Sequence, residues 1–404
     1  MKPLQLDPGG SGTSTGGTST EVLADVTVRA GPLDRDHTIT SFEYAEGAGQ
    51  VLILRDGQGA LLPVQVDAAG IATFSLPTLA AGAEANFSLV RQTETPIGEA
   101  RATEIPGAVE LTLDDYVVAE FRTSSPPPAG VDPSNVRAGY LHPVYAPGGI
   151  LVTDDFPIDP EGHPWHHGIW GAWTQTEFNG HLVDFWNSYK NEGRVDLESV
   201  DALWQGPVHA GLDAKLVHDD LFGGEMTTVL NERWVVRVYR MHTAPAPYFV
   251  FDLESTQSAA TDLGLNVLDW EYGGFALRGH AEWKDPAKLT VLASDGINRF
   301  DRTTGNGQAG RWCVMSGSVA GMPAAFGALG HPSNFRAPQK LRVHPSDPYL
   351  AFSPVRDGAF SIDPGTPYVT RFRFVTMAGP PDEALLDRLW NDYATPPEVI
   401  VSPR

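Results

Sequence analysis

Residues 161–173 read EGHPWHHGIWGAW, which places His163, His166 and His167 beside Trp165, Trp170 and Trp173 within thirteen residues. Imidazole gains and loses a proton near neutral pH and is also the commonest metal ligand. Indole has a flat apolar face, and sugars have C–H faces that pack against such surfaces. Together they point to proton chemistry on a carbohydrate. In extended backbone, neighbouring side chains point to opposite faces, so His166 and His167 diverge unless a turn intervenes. Gly162 and Pro164 favour a turn before them and Gly168 a bend after. His166 or His167 is the expected acid–base group, and His142 in YLHPVYAPGG, just upstream, is a candidate to assist.

Three more stretches add carboxylates and a cation. NGHLVDFWN sets Asp184 in an apolar run next to Trp186. A buried carboxylate needs a partner, so Asp184 orients a histidine, accepts a sugar hydroxyl or caps a turn. NVLDWEYGGFALRG carries Glu271 ahead of two glycines. A glutamate pushed into an apolar cleft there has a raised pKa and serves as acid or base. Arg278, further on, holds a substrate oxygen or pairs with a carboxylate. GHPSNFRAP offers His331 and Asn334 between turn formers. Each residue also has a structural explanation: tryptophans fill cores, histidines make structural hydrogen bonds and arginines form salt bridges.

A metal is the alternative use of the histidines. His163, His166 and His167, joined by His142 or His331 and a carboxylate, make a possible ligand set for zinc or another divalent ion. HxxHH is not a zinc signature, so the primary expectation is no cofactor. The single cysteine, Cys313, forms no intramolecular disulfide and reads as a buried small residue. There is no Gly-rich phosphate loop, serine nucleophile elbow or HExxH, which disfavours nucleotide and serine-hydrolase chemistry.

The elements that must hold these residues are strands. The 404 residues include 42 Gly and 33 Pro, only 19% are charged, and 42% are hydrophobic. Such a mixture favours short strands and tight turns around a sizeable core. Residues 1–20, with GSGTSTGGTST, read as a disordered tether. Residues 21–95 alternate in five short runs, the pattern of a small β-sandwich. TPIGEARATEIPGA reads as a linker, and 108–404 as a large antiparallel β domain with one helix over about 382–393, capped by Asp382 and stopped by Pro396 and Pro397.

Net charge is −22, which repels nucleic acid and anionic lipid. No apolar run reaches the 18 residues of a membrane helix. The compartment is cytoplasmic if Met1 is the native start, and periplasmic or secreted if a leader has been removed.

YLHPVYAPGGILVTDDFP, HPWHHGIWGAW, NGHLVDFWN, EYGGFALR, HPSNFRAP and IDPGTPYVTRFRFVTMAG, in that order, resemble a bacterial domain-of-unknown-function family commonly labelled methane oxygenase PmoA. The match spans about 240 residues, mostly in the second domain. It departs at CVMSG and at Gly330, where the family has an Asp before His-Pro. A particulate methane oxygenase subunit needs membrane-spanning helices, so the label is misleading for this chain. The resemblance implies a galactose-mutarotase-type β-sandwich, a superfamily with epimerases, polysaccharide lyases and glycoside hydrolase domains. The expected fold is thus all-β.

The expected function is a carbohydrate-active enzyme of epimerase, mutarotase or lyase type. His166, His167 and Glu271 do acid–base work, assisted by His142 and His331. Trp165, Trp170 and Trp186 wall the sugar, and Asp184, Arg278 and Asn334 hold its polar groups. The rivals are a non-catalytic carbohydrate-binding protein and a metal-dependent glycoside-processing enzyme. The expected partner is a sugar or oligosaccharide, without nucleic acid or membrane insertion.

Overall fold

Alternating runs punctuated by Gly, Pro and Asp become antiparallel strands almost throughout the computed structural model. It describes residues 21–91, 98–157, 163–241, 247–285, 287–294, 298–299 and 306–404; the expected tether, 1–20, lies outside them. The fold is all-β, with four antiparallel sheets and one α-helix among the described residues.

The small unit is a seven-stranded sheet in the order Thr38–Glu43, Ile71–Leu76, Leu61–Val66, Val51–Asp56, Glu84–Arg91, Val22–Arg29, Glu398–Pro403. Side chains from both ends of this order, Phe42 and Phe74 with Val26, Val399 and Val401, meet in one core, so the sheet folds over itself as a sandwich does. The expected domain boundaries need two corrections. The last strand comes from the far end of the chain and pairs with Val22–Arg29. In addition, Ala100–Ile105, read as linker, pairs with Ala108–Leu113 and opens the large unit. Its alternation is real, but Arg101, Thr103 and Glu104 are exposed on a sheet edge, which gives a strand the composition of a loop.

The large unit stacks two sheets. One runs Leu341–Val343, Tyr349–Phe352, Gly274–Arg278, Ile169–Ala172, Tyr140–Ala146, Tyr116–Arg122, Ala108–Leu113, Ala100–Ile105. The other has nine strands, including the long runs Gly193–Trp204, His209–Asp220, Thr227–Tyr239, Tyr248–Ala259 and Tyr368–Met377. Phe121, Leu141, Trp170 and Leu277 of the first meet Leu212, Trp234, Phe251 and Phe374 of the second in one core. A four-stranded flap, His181–Val183, Thr176–Phe178, Leu265–Val267 and Phe360–Ile362, completes the unit. Between the layers Glu232 and His218 are both fully buried, with Glu232 Oε2 2.7 Å from His218 Nε2. Ser255, Trp234 and Gln257 donate to Glu232 Oε1.

The helix Glu383–Ala394 forms where expected, with the Asp382 side chain accepting from the Leu385 N–H. Leu386 and Leu389 pack on Trp312, Val314 and Met377 of the large sheet and on Ile39 of the small unit. At its end, buried Asp392 accepts from Arg35 (2.8 Å) and Thr38 (2.9 Å), which joins the helix to the small unit. Asp392→Ala leaves the Arg35 guanidinium buried and uncompensated. It should cost about 3–5 kcal/mol, read as a lowered midpoint in urea unfolding. An unchanged midpoint contradicts this role for the pair.

Candidate functional site

The site lies at one end of the first large sheet. Leu141, Ile169, Leu277 and Leu350 are in register across four strands. The same end therefore receives Tyr140 at a strand start, Arg278 at a strand end, Tyr349 opposite Arg278, and the turn 163–167 leading into Ile169. Gly168 permits this convergence: a Cβ there would stand 2.2 Å from the Leu141 carbonyl oxygen, and the Gly168 carbonyl accepts from the Arg278 N–H at 2.7 Å.

A turn closed by the His166 N–H on the His163 carbonyl (2.8 Å) distributes the three histidines. His166 points inward and is 2% exposed. Its ring lies flat on His163 (4.6 Å between centroids, 6° between planes) and against Tyr349 and Trp170. Its Nε2 accepts from the Trp186 indole N–H at 3.3 Å, so the proton is on Nδ1. Burial holds its pKa well below the usual value, and His163 and Arg278 push the same way. His167 points the other way, 1% exposed, with Nδ1 2.6 Å from Asp155 Oδ1. The Tyr140 hydroxyl donates to Asp155 Oδ2 at 2.7 Å. His142 is on that side too: Thr153 Oγ1 accepts the Val144 N–H and hydrogen-bonds His142 Nδ1 at 2.9 Å, and burial lowers His142 to about 4. His166 and His167 are neutral, buried side chains that hold the turn in place, and His142 is neutral and partly buried.

His163 is the histidine of this turn that reaches the surface, at 26% exposure. Its Nδ1 lies 2.6 Å from Oδ2 of Asp347, which is 2% exposed, an ion-pair distance. With Nδ1 so occupied, Nε2 is the nitrogen left to act on a substrate. His344 stands beside it, its ring 5.2 Å from that of His163 at 78°. The backbone N–H of Asp347 donates to His344 Nδ1 at 2.9 Å, so the His344 proton is on Nε2. Burial lowers His344 to about 4, and it is neutral at pH 7. Burial raises Asp347, but the hydrogen bond from His163 and the charge of Arg278, 3.8 Å away, outweigh that and hold it below the usual carboxylate range.

Arg278 is 1% exposed, and its Nε and Nη1 have no hydrogen-bond partner among the described residues. Asp154 and Asp347 approach it only to 3.9 and 3.8 Å. It acts as a fixed positive charge beneath the His163–Asp347 pair. Trp165 and Tyr189 (50% exposed) lie against each other at 4.4 Å, and Trp165 also touches the His163 ring at 5.3 Å.

The other expected site residues lie elsewhere. Trp170 (0% exposed) and Trp186 (2%) are core. Asp184 is saturated by the N–H groups of Trp186 and Asn187, the side chains of Thr174 and Asn187, and Lys190 at 2.7 Å, so it caps a turn. Glu271 is at the rim, 65% exposed, 3.4 Å from Arg342. His331 bonds Ser333 and packs on Tyr393 of the helix, away from the turn. Asn334 is spent on both backbone groups of Arg371.

His344 and Asp347 were missed. HPSD, residues 344–347, repeats the HPSN pattern of 331–334 thirteen residues on, and in both the histidine Nδ1 accepts the serine N–H. That repeat was a visible signal for a paired turn, though not for which turn meets His163.

A family model described as "Family of unknown function (DUF6807)" matches residues 108–391. It carries no oxygenase label. No curated protein matches the chain. Among solved structures, a galactose mutarotase related enzyme from Lactobacillus acidophilus aligns over 69% of this chain and 98% of its own, at 8% identity and a TM-score of 0.21, a likeness too slight to speak to fold or activity.

Proposed function

The chain belongs to the DUF6807 family of unknown function, and from that premise we propose that it is a carbohydrate-active enzyme that moves a proton on a sugar. The observation that carries this reading is the partly exposed His163, backed by buried Asp347, directly beside the Trp165–Tyr189 face. A sugar ring stacks on that face. His163 Nε2, oriented by Asp347, takes the proton as general base. The neutral His344 Nε2–H donates to the oxygen on which charge develops, and Arg278 adds a positive field from below. Base and donor are thus two imidazoles whose surroundings fix opposite roles. The reaction class is ring opening with epimerisation, or abstraction beside a carbonyl or carboxyl group followed by elimination.

The test is proton NMR in deuterated buffer with aldoses, uronic-acid oligosaccharides and 3-keto-glycosides. Accelerated anomer exchange, deuterium uptake or a new vinyl signal in wild type, lost in Asp347→Asn, supports the reading. Line broadening without chemistry instead makes the protein a carbohydrate-binding module.

A metal-assisted reading has one observation in its favour: His163, His344 and Asp347 bring donor atoms within 4.8 Å of one another. His166 and His167 of the expected set face away. An ion there has to displace the Asp347 N–H from His344 Nδ1, or reverse that ring's tautomer. The acid–base reading therefore expects less than about a tenth of an equivalent of metal after metal-replete expression, by elemental analysis. About one equivalent, lost in His344→Ala, favours the ion.

A further inference from the structure

Resting on that sugar reading, we infer that the substrate carries a carboxylate, which Arg342 binds at the rim beside the His163–His344 pole. Arg342 and His344 lie two residues apart at the end of the strand Leu341–Val343 and so share a face. Tyr349 lies beside both: the Arg342 charge bears on its hydroxyl, and its ring packs on His344 at 5.2 Å and on His166 at 4.5 Å.

Arg342 is an incompletely used cation. Its side chain is 13% exposed, and its Nε is buried without a hydrogen-bond partner among the described residues. Its near carboxylate is Glu271, whose Oε2 stands 3.4 Å from Nη1. Glu271 is 65% exposed, so its carboxylate is held loosely and can swing into water. A second guanidinium is adjacent: Arg356 Nη1 donates to the Glu271 backbone carbonyl at 2.7 Å and to Asn306 Oδ1 at 3.3 Å. Arg342 therefore faces one loosely held carboxylate while Arg356 holds the backbone of the same residue, on a chain whose net charge is −22. The guanidinium fork matches a carboxylate in two parallel hydrogen bonds, so Glu271 occupies the place of a ligand carboxylate. A uronic acid bound there turns its ring toward His344 and His163. This reassigns Glu271 from catalytic acid to an internal competitor for Arg342.

The experiment is calorimetric titration of the full chain with an oligogalacturonide and with its carboxyl-reduced, neutral counterpart. Wild type should bind the acidic form at least about tenfold tighter, the scale of a charge-assisted hydrogen bond. Arg342→Ala should erase the preference and Arg342→Lys should keep part of it. Glu271→Gln, which removes the competing charge, should tighten acidic binding several-fold and leave neutral binding unchanged. Circular dichroism melts of the variants exclude loss of fold as the cause. Equal affinity for both sugars, or a preference that survives in Arg342→Ala, overturns the inference and leaves the sugar reading standing. No binding or turnover of either sugar overturns both.

Discussion

Glu232→Ala should lower folding stability by about 3–5 kcal/mol, because it strips a fully buried His218 of its partner. The loss goes beyond one contact. Glu232 gathers His218, Ser255, Trp234 and Gln257, and each of these donors would be left unsatisfied in a dry core. Glu232→Gln keeps the shape and some acceptors and should lose less. Replacing His218 and Glu232 together by leucines should recover much of the loss, since an apolar pair does not leave a lone charge.

The same pair sets the acid limit. Burial alone raises Glu232, but the hydrogen bond and charge of His218, with Ser255 and Trp234 donating, hold it down at about 2. Its folded value is thus below its unfolded value, so its contribution is complete above about pH 4.5 and is lost as pH falls toward 2. Urea midpoints across that window should fall with pH in wild type and fall less in the double leucine variant. Identical slopes contradict an ionised Glu232.

His163→Ala should reduce turnover by about a hundredfold to ten-thousandfold, the span of a general base, while the melting temperature stays near that of wild type. The side chain is partly exposed. Asp347→Asn probes the same step differently. Its amide can hold the opposite imidazole tautomer, which turns the Nε2 lone pair into an N–H, so turnover should fall and substrate affinity should hold. His166→Ala is the contrasting variant. It empties a buried plate between His163, Trp170 and Tyr349 and should lower the melting temperature as well as turnover. His331→Ala, beside the helix, should leave turnover unchanged. Equal loss in His331→Ala and His163→Ala contradicts the assignment.

The β architecture was legible because alternation and turn residues are local properties, and so was the helix, from its Asp382 cap and its prolines. The seventh strand of the small unit was not, since nothing in EVIVSP names its partner Val22–Arg29 near the other end of the chain. At the site, the HPWHH turn was legible, but which of its histidines reaches the surface was not. HH draws the eye to His166 and His167, yet alternation sends one to Tyr349 and the other to Asp155, both inside. Proline and the turn leave His163 at the surface. Burial also reversed the tryptophans: Trp170 and Trp186 lie within dense apolar runs because they are core, whereas Trp165, between Pro164 and two histidines, keeps a face outside. Partners from distant segments, Asp347 for His163 and Arg342 for Glu271, depend on strand order, which pairwise reading of one chain does not supply.

The central claim is that a sugar exchanges a proton at His163. The direct measurement is deuterium uptake at sugar carbons, by proton NMR, with wild type, His163→Ala and Asp347→Asn side by side on one uronic-acid oligosaccharide and one aldose. The account predicts uptake, anomer exchange or a vinyl signal in wild type and about a hundredfold less in both variants. Undiminished chemistry in His163→Ala, with its fold intact, would contradict it.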